Sequence, residues 1–300
     1  MKQFEGRVAV ITGAASGLGR AFADTAAGLG MKLVLADVDA KALAHTTEAL
    51  QAQGAEVLSM VVDVSKREHV EELADAAMIR FHGVHLVFNN AGVATGGLIW
   101  ENSEADWEWV LGVNLWGVIH GVSVFTPIML ACAQRDPNYE GHIVNTASMA
   151  GLLNAPAMGV YNVSKHAVVS LSESLYHDLR LVEAPIEASV LCPFFVPTGI
   201  ARSEAHRPHT LDNDHGPTAS QQAAQALVSK AVDAGKVSPA DVARITFDAV
   251  REGRFYIYSH PQLLGSVAER MDAIVQGKPP ADAYAAMPQL TQALKAGVKG

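Results

Sequence analysis

Val8-Ala9-Val10-Ile11-Thr12-Gly13-Ala14-Ala15-Ser16-Gly17-Leu18-Gly19 is the stretch whose reading decides the fold. Four apolar residues in a row suit a strand covered on both faces, as in a parallel sheet. The glycines then permit a tight turn and a close backbone approach, and Leu18–Leu29 follows at helical spacing. Strand, turn and helix in that order place a helix N-terminus where it can face a pyrophosphate. Glycine spacing alone would be weak evidence; its position directly after the apolar run gives it force. The competing explanation is a glycine turn that serves packing only.

The same alternation repeats toward the C-terminus. Arg7–Thr12, Lys32–Ala36, Glu56–Val61, His85–Phe88, His142–Thr146, Ile186–Cys192 and Phe255–Tyr258 read as strands. Leu18–Leu29, Ala40–Gln53, Arg67–Phe81, Glu104–Ala131, Met158–Val182 and Pro239–Arg251 read as helices. This pattern predicts an α/β chain: one Rossmann-type doubly wound parallel sheet with helices on both faces, forming a single domain. Residues 1–260 are expected to form a dinucleotide-binding catalytic domain. Within it, 193–236 is a long connection rich in Pro, His, Asp and Ser, with a helical patch at Ala219–Val232, and is expected to be a lid. Residues 261–300 form a C-terminal helical extension of the same domain: a helix at Gln262–Val275, a break at Gly277, and an Ala-rich tail expected to fray at its end.

Of the 300 residues 49% are apolar, enough for a large core, and the net charge of −9 comes with no basic run. That balance argues against nucleic acid or an anionic membrane as partner. Cys132 and Cys192 match no metal or redox spacing and suit reduced thiols in a cytoplasmic protein. Met1–Val10 runs straight into a strand without a signal-like apolar region. Val110–Ala133 is long and apolar, but Asn114, His120, Ser123, Thr126 and Pro127 would be costly in lipid, so it reads as a helix buried between neighbours.

Candidate chemistry lies at a few positions. Asp37 ends the second strand, where a carboxylate can accept ribose hydroxyls and repel a 2′-phosphate. No Arg or Lys stands at positions 36 to 40, so NAD is preferred over NADP, although Asp37 could instead be a turn aspartate like Asp39. In Met158–Val182 the apolar stripe Val160, Val168, Leu171, Leu175 and Leu179 marks a buried face, and Tyr161 and Lys165 stand one turn apart near its start. A phenol ordinarily titrates near 10, and a neighbouring ammonium lowers that value toward the working range. His206, His209, Asp212, Asp214 and His215 have a spacing that fits no ligand set, so no metal is expected. Trp100, Trp107, Trp109 and Trp116 read as core or subunit packing.

Thr12–Gly19, Asp63-Val64, Asn89 to Gly92, Asn114, Ser148, Tyr161 with Lys165, and Pro193 to Thr198 occur together in order and spacing. In this the chain resembles the classical short-chain dehydrogenases/reductases over about residues 5 to 260. The region Phe255–Val275 is also similar to bacterial members that oxidise aromatic secondary alcohols, such as lignin-dimer Cα-dehydrogenases. The resemblance implies a catalytic set of Asn114, Ser148, Tyr161 and Lys165. Tyr161 would be the acid–base, Lys165 would bind the nicotinamide ribose and depress the phenol's pKa, Ser148 would orient the substrate oxygen, and Asn114 would anchor a water relay. It further implies cofactor contacts at Thr12, Gly13, Ser16, Gly17, Leu18 and Gly19, and at Asp37, Asp63 and Val64. Asn90, Ala91 and Gly92 would form the floor, and Pro193, Val196 and Thr198 would meet the carboxamide. Phe194 stands where the family usually has glycine, which bears on the carboxamide geometry.

The pocket is expected to be walled by Thr95, Met149, Leu152, Leu153, Ala155, Met158, Phe194 and Phe195, an apolar set suited to a hydrophobic or aromatic secondary alcohol or its ketone. Helices 104–131 and 158–182 pair across subunits in the family, which implies a homodimer or homotetramer. The expected activity is hydride transfer between NAD(H) and such an alcohol. The alternatives are an NADPH-preferring carbonyl reductase and a non-catalytic cofactor-binding regulator.

Overall fold

The computed structural model describes residues 1–285 and 287–299. Strand β1 (Val8–Thr12) is buried at every position and leads into helix α1 (Gly17–Gly28). The chain continues through β2 (Lys32–Asp37), α2 (Ala40–Ala52), β3 (Val57–Val61), α3 (Arg67–Phe81) and β4 (Leu86–Asn89). Next come α4 (Glu104–Leu111), α5 (Gly117–Arg135), β5 (Gly141–Thr146), α6 (Gly159–Leu181) and β6 (Ile186–Cys192). The C-terminal part holds α7 (Ala219–Asp233), α8 (Pro239–Glu252), β7 (Tyr256–Tyr258), α9 (Leu264–Val275) and α10 (Pro288–Lys299).

All seven strands pair in parallel, in the order β3-β2-β1-β4-β5-β6-β7. The order reverses beside β1, so a crevice opens past the carboxyl ends of β1 and β4. Apolar strands demand cover on both faces, and they get it. On one face Phe22 of α1 stacks on Phe88 at 4.5 Å, and Phe88 meets Phe247 of α8 at 5.5 Å. The other face packs Leu73, Phe125 and Leu175 from α3, α5 and α6 over Val10, Val34 and Val87.

Two expectations need correcting. Glu104–Ala131 is not one regular helix. It starts at a capping box of Ser103 and Asp106, runs to Leu111, opens into a π-helical turn over Gly112–Trp116, and resumes to Arg135. Asn114 lies in that turn and is fully buried; π turns arise where a side chain is held out of helical register, often at functional sites. Glu104–Arg135 is long and apolar enough to cross a membrane, yet 44% of its apolar window is buried against the rest of the protein.

The second correction concerns the tail. Pro288 starts a helix, as its preset φ favours, and α10 docks on α7. Leu294 is 6% exposed and packs with Leu227, while Gly297 lies so close that an added Cβ would come within 2.6 Å of Ala223. Burial of an apolar face holds the end of the chain in place. Gly300 lies outside the described residues.

Candidate active site

The glycine turn is shaped by contacts only glycine tolerates. Gly13 has φ +66° and approaches Ala91 so closely that a Cβ would stand 2.9 Å from its Cα. At Gly19 the Cβ would meet the Gly13 carbonyl oxygen at 2.0 Å, so this residue sets helix-to-strand distance and lines no cavity. Thr12 also faces inward: its hydroxyl donates to the Phe88 carbonyl at 3.2 Å and accepts the Asn90 and Ala91 amides at 2.9 and 3.1 Å. Ser16 caps α1 in an extended conformation without a side-chain capping bond, leaving its hydroxyl available.

A cavity of about 730 Å³ begins there. It passes Gly13, Ser16, Leu18, Asp37, Asp63 and Val64, then Asn90, Ala91 and Gly92. It continues past Ser148, Tyr161 and Lys165 to Pro193, Val196 and Thr198. Gly17 (φ +53°) opens on an adjoining hollow with Asp37, Asp39 and Arg202. Each Asp37 oxygen takes one backbone amide, from Ala15 at 2.9 Å and Asp39 at 3.0 Å. One Asp63 oxygen accepts both the Ser65 amide and hydroxyl, and the other has no partner among the described residues. The sequence did not single out Arg202; only the fold brings its guanidinium to the Ser16 and Gly199 neighbourhood.

At the end of β5 the reactive side chains converge. Lys165 is 3% exposed, its Nζ donates to the Thr146 carbonyl at 2.9 Å, and it stands 5.7 Å from the Tyr161 ring centroid. Ser148 Oγ accepts the Ala150 amide at 3.1 Å and donates to the Pro193 carbonyl at 3.3 Å. The electrostatics differ from the expected depression of the phenol by Lys165. Burial pushes the Tyr161 phenol up to about 12, and a hydrogen bond with Ser148 pulls the other way. Burial also lowers Lys165 to about 8, against a smaller upward pull from Cys192. Lys165 directs its ammonium to a backbone carbonyl, and with the protein alone desolvation dominates.

Asn114 is held by its neighbours. Its Oδ1 accepts the Val93 amide at 2.8 Å, and its Nδ2 donates to the Val93 carbonyl at 2.9 Å and to Ser164 Oγ at 3.0 Å. Both amide protons are committed, so the side chain braces the segment after β4 against α6.

Met149, Leu153, Ala155, Met158, Phe194 and Phe195 line the cavity as expected; Thr95 and Leu152 do not. Phe194 is absent from the positive-φ residues, so its Cβ needs no strained backbone. Its amide donates to Ser259 Oγ at 3.1 Å, and its ring packs on Phe195 at 4.3 Å. Trp109 is buried with the Arg207 guanidinium 4.7 Å above its ring, while Trp100 is 76% exposed. Among the described residues no three His, Cys, Asp or Glu side chains gather as a metal set.

The 193–236 connection, expected to be a lid, is held by contacts that the sequence hid. Asp106, 1% exposed, receives Arg207, Asn213 Nδ2 at 3.0 Å and Gln221 Nε2 at 3.2 Å, all from the lid. Glu101 likewise accepts the Thr218 and Ser220 hydroxyls at 2.7 and 2.6 Å. The capping box with Ser103 marks Asp106 only as a helix cap and Glu101 belongs to no motif, so only the fold identifies their hold on this segment.

The family profile described as short chain dehydrogenase matches residues 7–208. The crystal structure of a short chain dehydrogenase/reductase from Burkholderia phymatum in complex with NAD is 56% identical. It superposes with a TM-score of 0.91, covering 94% of this chain and 99% of that one. A CLA biosynthesis dehydrogenase/reductase of Lactiplantibacillus plantarum is 36% identical over 279 residues, 92% of this chain and 95% of the relative. A C alpha-dehydrogenase of Sphingobium is 30% identical over 281 residues, 93% of this chain and 89% of the relative.

Proposed function

Because the chain belongs to the short-chain dehydrogenase/reductase family, we propose that its cavity exchanges a hydride between NAD and a hydrophobic secondary alcohol or ketone, with Tyr161 as acid–base. One observation carries this reading: Ser148, Tyr161 and Lys165 meet at the end of β5 in the same cavity that the glycine turn enters.

The residues present fit the dinucleotide. The unpaired Asp63 oxygen is an acceptor suited to an adenine amino group, and Asp37 keeps lone pairs for ribose hydroxyls. The free Ser16 hydroxyl and first-turn amides of α1 suit a pyrophosphate. Gly92 lies within reach of Lys165, where an added Cβ would stand 3.5 Å from Nζ, an ordinary contact. When bound, NAD supplies the hydride-accepting carbon and, in its oxidised form, a positive ring beside the phenol.

The protein's own groups handle the proton and the orientation. Ser148 Oγ holds the substrate oxygen; the Tyr161 phenolate takes its proton in oxidation, and the protonated phenol gives it back in reduction. Lys165 fixes the ribose side of the site from α6. Asn114 acts at one remove, holding Val93 and Ser164 in place. The test is Tyr161→Phe: binding of NADH should stay close to that of the parent, while turnover should fall by roughly 10²–10⁴-fold. A variant with near-normal rates would sink the acid–base assignment.

The apolar wall of Met149, Leu153, Met158, Phe194 and Phe195 supports a hydrophobic substrate. NAD-coupled rates on aryl carbinols against small hydroxy acids decide this, and activity confined to the acids would overturn it. Arg202 beside Ser16 favours a second reading, NADPH preference, which initial rates with each cofactor separate. Trp116, Val163, Leu181 and Val182 are exposed along the α5 and α6 region and support a homodimer or homotetramer, which light scattering on the eluted protein would check. The two free buried cysteines suit a reducing cytoplasm.

A further inference from the structure

The family profile ends at residue 208, but the wall of the substrate cavity does not. Ala283 and Tyr284 reach the cavity from the tail, between α9 and α10. Tyr284 is 4% exposed. Its ring packs with Leu227 of α7 and Leu294 of α10, and against Ala155 and Ala157 in the loop before α6. That loop is tied to the catalytic helix, because the Ala155 carbonyl accepts Asn162 Nδ2 at 2.8 Å, one residue from Tyr161. The ring is therefore held on three sides by the lid, the tail and the Ser148–Tyr161 connection.

Its hydroxyl stands apart from that packing. Among the described residues it has no hydrogen-bond partner, and it is not one of the polar atoms sealed off without one. Tyr284 lines the cavity, and no partner among the described residues holds its hydroxyl away from that space. Buried tyrosines place a polar tip where something can meet it, and here that something is whatever fills the pocket. Burial pushes the phenol up to about 12, so it keeps its proton and acts as a donor throughout the neutral range.

We propose that Tyr284 is a specificity-determining residue that donates a hydrogen bond to an acceptor oxygen of the substrate, remote from the carbon being oxidised. The substrate class is then an apolar secondary alcohol carrying an ether, carbonyl or phenolic oxygen away from its carbinol. This rests on the reading of Ser148 and Tyr161 as the reacting end of the same cavity. A donor built into an apolar wall favours ligands that satisfy it over isosteres that leave it bare.

The experiment compares the parent with Tyr284→Phe on 1-phenylethanol and aryl carbinols bearing a methoxy or aryloxy group at increasing distance. One measurement is kcat/KM with NAD. The other is binding of the matching ketones to the enzyme–NADH complex, read by cofactor fluorescence. For at least one ether probe the variant should lose roughly two- to tenfold relative to 1-phenylethanol, in binding and through KM, with the melting temperature held. If no probe changes its ratio, solvent satisfies the hydroxyl and the proposal is overturned. Tyr284-dependent ketone binding without turnover would support this proposal and count against the reaction assigned above. Turnover without Tyr284 dependence would do the reverse, and neither binding nor turnover by any probe would overturn both.

Discussion

At the end of β5 the reactive side chains are held by backbone. Lys165 is fixed by the Thr146 carbonyl, Ser148 by the Ala150 amide and the Pro193 carbonyl, and Asn114 by both polar groups of Val93. Over the cavity the lid is held the other way, by side chains that meet on two carboxylates, Asp106 and Glu101. Backbone partners come with the fold and cannot be mutated away. Side-chain partners can be changed one at a time, so a lid built on them can vary while the floor stays fixed. The difference teaches where to look for chemistry and where to look for substrate choice.

The sharpest way to break that contrast is at the floor. Ser148→Ala removes the hydroxyl that would turn from the Pro193 carbonyl to the substrate oxygen and should lower kcat by roughly 10²–10³-fold, leaving the lid contacts in place. A loss confined to KM would mean that Ser148 acts in binding alone. The floor should also govern pH. The proton-accepting form of Tyr161 is the phenolate, and burial raises that pKa, so the base form grows as pH rises. Alcohol oxidation should therefore increase from neutral into alkaline pH, and ketone reduction, which needs the protonated phenol, should decline there. A rate that already levels off in acid would place the essential ionisation elsewhere.

Legibility followed the same division. The strands were readable to within a residue because a two-sided parallel sheet favours apolar runs; Val8–Ile11 supplies an unbroken one, and Ile186–Cys192 ends in Val190–Cys192 after Glu187 and Ser189. The glycine turn and the Tyr161–Lys165 pair were readable because their chemistry depends on short, local spacing. The π turn around Asn114 was not, because an evenly apolar helix such as Val110–Ala133 keeps its pattern whether or not a residue is inserted. Long-range pairings left no trace either. Asp106 meets Arg207 across 101 positions, and Tyr284 joins a buried cluster with Leu227 that packs against Ala155. Only the folded chain shows that Thr12 and Gly19 brace the turn against β4 and the Gly13 carbonyl.

The lid offers the next, smaller effect. Burial alone would raise the Asp106 carboxyl, but bonds from Arg207, Asn213 and the Ser103 amide outweigh it and hold the group below its ordinary range. The latch is thus fully formed at neutral pH and is lost as pH falls through that lowered value. Asp106→Ala would leave Arg207, at 4% side-chain exposure, with only the exposed Glu204 as counter-charge, and should cost up to about 3 kcal/mol in denaturant unfolding. If lid and floor are separable, KM rises well before kcat falls. A fall in kcat at constant KM would show that the latch belongs to the floor.

Glu101→Gln should have the smallest effect, because an amide can still accept from Thr218 and Ser220 while losing only the charge that strengthens both bonds. A few-fold rise in KM is expected, with kcat held. The value of this variant lies in combination. Asp106 grips the lid through Arg207, Asn213 and Gln221, and Glu101 grips Thr218 and Ser220, so both hold the start of α7. If the lid moves as one body, releasing either carboxylate already frees part of what the other restrains. The Asp106→Ala, Glu101→Gln double variant should then raise KM by less than the product of the single effects. Strict multiplication would mean two independent hinges and a lid that opens in parts.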